Sequence, residues 1–266
     1  MSALAQPRKW EQVFWPLLAG ALLLLLWNYS VVWTKTKVFP SPLAVERGIA
    51  ELSRKGLMWA YIGDSLRRVA LGFGAAAVVG IPLGLTLGWY PRVNQIVNPV
   101  LQILRPISPI AWIPVAILLF GVGELTPVFL IFLSALFPIV LSCVSGVSNV
   151  PSIYRRAGRN FGLSAPGLLA RVVFPAALPQ ILVGLRIALG IAWLVMVAAE
   201  MIAVDSGLGY LVIDARNSGK RYDLVVGAML TIGLIGLALD LGFRRLRDIR
   251  SVRWGSVSYT HLRIRV

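Results

Sequence analysis

Long apolar runs dominate the chain. Six windows, Val13–Trp33, Leu66–Trp89, Val100–Phe120, Thr126–Ser148, Val183–Ala203 and Leu224–Phe243, together hold close to half of the 266 residues. A hydrocarbon core of about 30 Å is crossed by about 20 helical residues, and each window is that long. The runs are continuously apolar rather than alternating, which predicts helices and not barrel strands. The pattern therefore predicts an all-α polytopic membrane protein with six transmembrane helices. The first window follows Arg8 and Lys9 and contains Leu17–Leu26, as a signal peptide does. Its apolar stretch runs on to Trp33 with no small-x-small cleavage pattern, so it reads as a retained anchor.

Composition agrees. The chain is 58% hydrophobic and 14% charged, with mean hydropathy +0.78, whereas soluble domains carry about 25% charged residues. A soluble enzyme is excluded, and so is intrinsic disorder, which requires low hydrophobicity. The lone cysteine, Cys143, builds no disulfide framework within the chain, and with one histidine, His261, there is no zinc-ligand spacing. The net charge of +15 reads as a topology signal. With a cytoplasmic N-terminus, the inside segments hold Arg8, Lys9, Arg92, Arg155, Arg156, Arg159, Arg171, Arg244, Arg245, Arg247, Arg250, Arg253, Arg263 and Arg265. The outside loops then hold Lys35, Lys37, Arg47, Arg54, Lys55, Arg216, Lys220 and Arg221, interleaved with acidic residues. This bias predicts both termini cytoplasmic, although Arg67 and Arg68, at the outer end of span two, run against it. No basic face on a soluble fold exists for nucleic acid.

Residues 1–60 are expected to form the anchor helix and an outer amphipathic segment, 61–245 the transmembrane domain with a loop at 149–182, and 246–266 a cytoplasmic tail. In the outer segment the turn-forming run Phe39-Pro-Ser-Pro-Leu43 precedes an amphipathic stretch, Val45–Leu57. Gly80, Gly84 and Gly88 share one face of span two, so another helix can approach closely; packing within the subunit is preferred to a dimer seam. Span three is interrupted by Pro106, Pro109 and Pro114, around Arg105 and Ser108. Irregular backbone at membrane depth is tolerated where it is buried in protein or lines a cavity. Both a pathway lining and a packing kink fit.

The loop at 149–182 is the richest segment. Asn149-Val-Pro151 ends a helix, and Ser152 is expected to cap the next one. Ile153, Ala157 and Phe161 recur every four residues as an apolar stripe, with Arg155, Arg156 and Arg159 on the rest of the surface. Gly162 allows a C-terminal turn. Ser164 is expected to cap a second short helix carrying Pro166 in its first turn. Phe174-Pro175 and Leu178-Pro179 are expected to break the chain before span five. Physics alone leaves two readings equal: a helix lying on anionic lipid, or a helix docking into a soluble partner's groove.

At this loop the chain resembles the permease subunits of bacterial ABC importers. Their motif, Glu-Ala-Ala, three residues, Gly, then an apolar residue before Pro, reads here Arg156-Ala157-Gly158-Arg-Asn-Phe-Gly162 and Val173-Phe174-Pro175. Arg156 stands in place of the family's Glu and Gly158 in place of its second Ala. A pairing of that Glu with a basic group on the ATPase is therefore not carried over. The likeness is closer to the nitrate/sulfonate/taurine branch. It rests on Phe39-Pro-Ser-Pro42, Leu104-Arg-Pro-Ile-Ser-Pro-Ile-Ala-Trp-Ile-Pro114, Phe120-Gly-Val-Gly-Glu124, Gly184-Leu-Arg-Ile187, Trp193–Glu200 and Ser206-Gly-Leu-Gly-Tyr210. The resemblance implies a type I importer transmembrane domain in the bacterial inner membrane, carrying a small anion. It implies a second permease copy in a homodimer, cytoplasmic ABC ATPase subunits, and a periplasmic or lipid-anchored substrate-binding protein. It also implies that residues 152–163, with Ile153, Arg155, Arg156, Ala157, Gly158, Arg159, Phe161, Gly162 and Pro175, couple to the ATPase. The chain has no phosphate loop of its own; the nearest candidate, Gly219-Lys220, has Asp214 where the upstream glycine belongs. No cofactor is expected on this chain, and ATP and Mg are expected on the partner ATPase.

Only six of the charged residues lie inside the windows: Arg67, Arg68, Arg105, Arg186, Glu200 and Asp240. Such groups are functional hypotheses by default. Glu200 and Arg186 are 14 residues apart, roughly 21 Å along a helix, so they do not pair with each other. Glu200 is expected to pair with a base on another helix at an outer gate. Arg105 and Arg186 suit an anion, though Arg105 equally suits snorkelling. Asp240 is expected to partner Arg244. Ser206–Asn217 is expected to open with a Ser cap and to carry Leu208, Leu211, Val212 and Ala215 on one side. Pathway or gate candidates are Arg105, Ser108, Pro109, Arg186 and Glu200. An ion-coupled secondary transporter is the alternative, but it favours a matching break in both halves, and only span three is broken. A membrane enzyme needs converging His, Asp, Glu or Cys, which the spans lack. From Ser256 the run to Arg263 follows no helical period and resembles translated sequencing-adapter read-through, so His261 is given no role.

Overall fold

The computed structural model describes residues 10–34 and 39–247; the reading of 256–266 as an artefact falls outside them. Every regular element among these residues is a helix: α1 (Glu11–Thr34), α2 (Pro42–Arg54), α3 (Leu57–Trp89), α4 (Pro91–Leu104), α5 (Ile113–Phe120), α6 (Leu125–Ser148), α7 (Ser152–Asn160), α8 (Ala165–Leu168), α9 (Phe174–Ala203), α10 (Leu208–Asn217) and α11 (Tyr222–Arg247). A 3-10 turn, Pro109–Trp112, leads into α5, and a π-helical turn, Leu169–Val173, joins α8 to α9. Five of these stretches are long and apolar enough to cross a membrane, and the broken pair Pro91–Leu104 and Pro109–Phe120 makes a sixth when taken together.

The described residues divide into two compact units, residues 10–34 and 39–59 with 211–230, and residues 60–210 with 231–247. In the first unit α1 is apolar on every side, and its side chains are largely exposed. This is the pattern of a helix surrounded by lipid. Its Trp27 indole donates to the Pro40 carbonyl at 3.1 Å. Ser41 is the N-cap of α2; its hydroxyl accepts from the Ala44 N–H, and Pro42 opens the helix. The amphipathic stretch thus begins at Pro42, three residues earlier than its apolar pattern predicts, and ends at Arg54. Val45, Gly48 and Leu52 form its buried face. Arg221 binds both Glu51, at 2.9 Å, and Asp223, at 2.8 Å. Lys55 first, and then Arg221, hold the exposed Glu51 carboxyl down to about 2. A depressed carboxylate contributes above the usual carboxylate range and fades as pH falls toward that value.

The second unit is organised by α6. α3 carries Gly72, Ala76, Gly80, Gly84 and Gly88 at four-residue spacing on one face. Gly72 lies against Ile131, Gly80 against Ile139, Gly84 against Cys143 and Gly88 against Val147. The offset is 59 residues each time, so α3 and α6 run parallel in one register. The glycine stripe is therefore used inside the subunit, and Gly72 and Ala76 extend it beyond Gly80, Gly84 and Gly88. α9 packs on the other side of α6 in the opposite direction, with Gly184 against Ser142 and Gly146 against Ala177. α11 pairs antiparallel with α9: the Trp193 indole donates to the Ile232 carbonyl at 3.1 Å, and Gly236 lies against the Trp193 ring. α5 closes the core with Ile113 and Ala116 against Leu130 of α6 and Val195 and Ala199 of α9.

Three sequence expectations about the spans change. Span two starts at Leu57 instead of Leu66, because Gly56, at φ 74°, ends the preceding turn and the helix restarts at once. Span three is not one helix over Val100–Phe120: α4 and the Pro109–Phe120 segment meet at 85°, where Pro106 and Pro109 remove backbone donors. Span five is not preceded by a chain break. Phe174-Pro175 opens α9, and Pro179 sits inside it. The π turn just before Phe174 gives the backbone the extra residue that relieves the clash of the Pro175 ring with the preceding turn.

The ladder yields a first test. A Cβ on Gly84 meets the Cys143 Cβ at 2.5 Å and the Val140 carbonyl oxygen at 2.7 Å, neither of which is a flexible chain end. Gly84→Val is expected to destabilise the chain by about 1–3 kcal/mol or more through overpacking, read as a lowered thermal unfolding midpoint in detergent. An unchanged midpoint disproves the packing.

Candidate functional site

Three features of the second unit carry chemistry: a short basic helix at one end of the bundle, a charge node at the other, and a cleft at the broken span.

The basic helix is α7. Pro151, not Ser152, is its N-cap residue, and no side chain caps it; Ser152 is already the first helical residue. Its C-terminus is a Schellman turn: Gly162 (φ 75°) donates to the Arg159 carbonyl at 2.9 Å and Leu163 donates to the Gly158 carbonyl at 3.1 Å. Ser164 stands at the N-cap of α8 with extended backbone, but its side chain makes no cap hydrogen bond. Gly158 is the only buried residue of α7. It lies against the end of the Leu168 side chain, where α7 meets α8.

Arg155 is not on the free surface, as its spacing suggested. It turns inward, donates to the Val147 carbonyl at 2.6 Å and lies 5.9 Å from the Trp89 ring centroid. It therefore tethers α7 to the ends of α6 and α3. The face left open carries Ile153 (67% exposed), Phe161 (86% exposed), Ala157, Arg156 and Arg159. This is an apolar stripe with two guanidinium groups and no covering element among the described residues.

The charge node lies at the far end of α6, 24 residues and about 36 Å away. Arg68 of α3 is fully buried and uses all five of its N–H groups. Its Nη1 donates to Glu200 Oε1 at 2.7 Å and to the Ser206 carbonyl at 2.8 Å. Its Nη2 donates to Glu124 Oε1 at 2.5 Å and to Ser206 Oγ at 2.7 Å, and its Nε to Glu124 Oε2 at 3.1 Å. Arg67 adds a second base to Glu124 at 2.8 Å. Glu200, also fully buried, accepts from the Ser65 hydroxyl at 2.9 Å and from the Gly209 N–H at 2.9 Å. Ser65 Oγ in turn accepts the Leu208 N–H at 2.9 Å. The start of α10 is thus capped by Ser65 and Glu200; Ser206 serves Arg68 instead of acting as the cap. Gly207, at φ 103°, sits where a Cβ would strike Glu200 and Arg68. Arg68, then Arg67, hold the half-exposed Glu124 carboxyl below the usual carboxylate range.

Glu200 therefore pairs with a base on another helix, as its depth required. That base, Arg68, went unrecognised in the sequence because it read as a topology charge. Three segments that carried the family resemblance, Phe120–Glu124, Trp193–Glu200 and Ser206–Tyr210, converge on it, and that convergence was the available signal. Gly123 donates to the Ala203 carbonyl at 2.9 Å at this same end, while Trp89 lies at the Arg155 end. Residues 90–120 consequently carry the chain from one end of the bundle to the other.

At the break between α4 and α5 a cleft of about 410 Å³ is lined by Arg105, Pro109, Ser134, Ser142, Phe137 and Ile191, among others. Arg105 and Ser108 are exposed, and Arg105 has no side-chain acceptor among the described residues. Ser108 does not line the cleft. Arg186 is engaged: its Nε and Nη2 bind Asp240 at 2.5 and 2.9 Å. Asp240 also takes Arg244 at 3.0 Å, so it holds two bases and not the one expected. Among the described residues no group of His, Cys, Asp and Glu is placed to hold a metal.

The node is testable. Removing one partner of a buried ion pair costs about 3–5 kcal/mol, because it leaves an uncompensated charge. Arg68→Met is expected to cost that much in detergent unfolding, and adding Glu200→Gln is expected to recover part of it. Equal costs for the single and double variants contradict the described geometry.

Comparison with known proteins completes the picture. The family model described as "Binding-protein-dependent transport system inner membrane component" matches residues 80–253. The taurine transport system permease protein of Escherichia coli strain K12 is 34% identical over 86% of this chain and 85% of its own length. The nitrate import permease protein of Synechocystis is 37% identical over 86% of each chain. The bicarbonate transport system permease protein of Synechococcus elongatus is 36% identical over 88% of this chain and 89% of its own. In shape, the chain is similar to the MetNI methionine ABC transporter in an inward-facing structure. The TM-score is 0.63 at 17% identity, over 72% of this chain and 96% of that one. The fold is that of a type I ABC importer transmembrane domain, and the chain is a transport subunit, not an enzyme. With the motif in α7 and the convergent node, these matches place the chain in the family of binding-protein-dependent transport system inner membrane components, the permease subunits of ABC importers.

Proposed function

We propose that this permease passes a small oxyanion, with Arg105 as the cation in its pathway and α7 as the element driven by the ATPase. The observation that carries the pathway is an elimination. Of the cations within the predicted spans, Arg67 and Arg68 are held by Glu124 and Glu200, and Arg186 by Asp240. Among the described residues Arg105 is the span cation left without an acceptor, and it faces a cleft at the break. Broken backbone at membrane depth belongs where it lines a cavity. Pro109 shapes the break and also lines the cleft; Ser108 sits in the turn between the two helices. The relatives named for taurine, nitrate and bicarbonate transport substrates that share a small, oxygen-rich anionic group.

The working unit is two copies of this chain, two cytoplasmic ATPases that hold ATP and Mg, and a binding protein outside. Both termini are cytoplasmic, as the Lys and Arg count favours. Ile153, Ala157 and Phe161 fit an apolar groove on the ATPase, with Arg156 and Arg159 beside them. Arg155, Gly158 and Gly162 hold the helix in place. Movement of α7 passes through α8 and the π turn before Pro175 into α9, which reaches the Arg68–Glu200 node. Glu200 with Arg68 is the outer gate's fixed point.

Two outcomes are expected in vesicles containing the assembled importer. Arg105→Gln lowers anion uptake about tenfold or more, the scale of one charge-assisted hydrogen bond, while binding-protein-stimulated ATP hydrolysis persists. Phe161→Ser leaves insertion and folding intact but separates ATP hydrolysis from uptake. Normal uptake by Arg105→Gln removes Arg105 from the pathway. Normal coupling in Phe161→Ser removes α7 from the drive.

A further inference from the structure

We propose that the cleft between α9 and α11, at the end of the bundle remote from Arg68, binds one anionic phospholipid, with its phosphate on Arg186 and Arg244. The cleft measures about 410 Å³. Its wall is Val183, Ile187 and Phe243, and its mouth is Arg186, Asp240 and Arg244.

Charge is the first argument. Two guanidinium groups share one carboxylate, so one positive charge is uncompensated. A guanidinium has five N–H donors. Arg186 uses two of its own on Asp240 and Arg244 uses one, which leaves seven N–H groups around a single mouth. Asp240 holds the two planes in position without filling them. The Arg244 side chain is 56% exposed and that of Arg186 34% exposed, so both can be reached.

Depth is the second. The apolar run of α11 ends at Phe243 and is followed directly by Arg244 and Arg245. This change marks the headgroup level of a bilayer. A phosphate held there leaves its acyl chains to run past Ile187 and Gly190. Basic pockets between transmembrane helices at this depth suit anionic headgroups.

Room is the third. Gly190, one helical turn further along α9 from Ile187, has nothing within 4 Å of where a Cβ would stand. A small cavity past it continues toward Trp193 and Gly236. The groove therefore runs on in the direction an acyl chain takes. A free inorganic anion has no use for that apolar wall, which is why the occupant is assigned as a lipid.

The test uses the intact permease–ATPase complex, extracted from vesicles of phosphatidylcholine containing a minority of phosphatidylglycerol and examined by native mass spectrometry. Wild type is expected to retain phosphatidylglycerol in excess of its share. Arg244→Gln is expected to lower that excess about fivefold, the effect of one headgroup-level arginine. Gly190→Leu leaves every charge in place, fits the open space, and is expected to lower retention as well by filling the groove. Unchanged retention in both variants overturns the proposal, as does equal retention of the two lipids by wild type. Displacement of the lipid by inorganic phosphate alone, without loss in Gly190→Leu, makes the mouth a site for soluble anions and also overturns it. So does a change of subunit stoichiometry in Gly190→Leu at constant lipid, which makes the cleft a seam between copies. None of these outcomes bears on coupling through α7.

Discussion

A guanidinium buried within a membrane helix cannot leave an N–H unpaired without cost, because hydrocarbon offers no acceptor and desolvation of the charge is costly. Arg68 meets that demand in full: its five donors go to Glu124, Glu200 and two atoms of Ser206. These acceptors come from the turn before α6, from α9 and from the loop before α10. One side chain thus fixes the positions of four segments distant in sequence. The surrounding groups follow from it. Glu200 needs further donors and takes Ser65 and the Gly209 N–H; Ser65 then serves the Leu208 N–H. Gly207 is glycine because its backbone is left-handed and because the two charges meet where a side chain would stand. Two bases face two acids, so the node is neutral, and it is held by geometry that only this arrangement satisfies.

The other end of the bundle is built on a different principle. α7 is attached through a glycine contact, a Schellman turn and the inward tether of Arg155, while its apolar stripe is left open. A lipid float would bury such a stripe in acyl chains and spread its bases toward headgroups. Here one of the three bases is withdrawn to hold the helix against α3 and α6. The role proposed for α7 needs that rigidity, because a helix free to swivel transmits no displacement. The π turn sits where α8 becomes α9, and π turns occur preferentially at functional positions in helices. α8 and this turn connect α7 directly to the start of α9, whose far end carries Glu200.

Much of this was legible in the sequence because the bilayer restricts the choices. Helix length follows from bilayer thickness, and the spacing of Gly80, Gly84 and Gly88 follows from the close approach of α6. The helix–Gly–helix loop was read correctly because Gly162 has a backbone reason to be glycine. What was not legible has a common cause. The partner of Glu200 depends on a register between α3 and α6 that no local pattern encodes. Arg155 and Arg156 are adjacent and chemically alike, yet one is a tether and the other is open; the difference lies in where Val147 and Trp89 end up. Pro175 and Pro179 read as breaks because proline disfavours helix interiors, but the π turn absorbs the first, and the preceding turns accommodate the second. Serines at helix starts followed the same course: Ser152 and Ser164, expected as caps, make no cap hydrogen bond, Ser206 was claimed by a stronger donor, and Ser41 caps α2 without having been expected to.

The distribution of charge along the second unit bears on the proposed role of Arg105, because a single free arginine is suited to passage instead of storage. At 4 Å, in the intermediate dielectric of a partly wet cleft, one ion pair is worth about 4 kcal/mol. That alone corresponds to millimolar binding, weak enough to release an anion. Adding Arg186 or Arg68 to the same anion would deepen the well, but the first is engaged by Asp240 and the second by Glu124 and Glu200. Neutralising the bases above and below leaves one shallow attractive step at the break. On that proposal a shallow step leaves selection among small oxyanions to a partner outside the membrane, in line with similar chains being named for taurine, nitrate and bicarbonate.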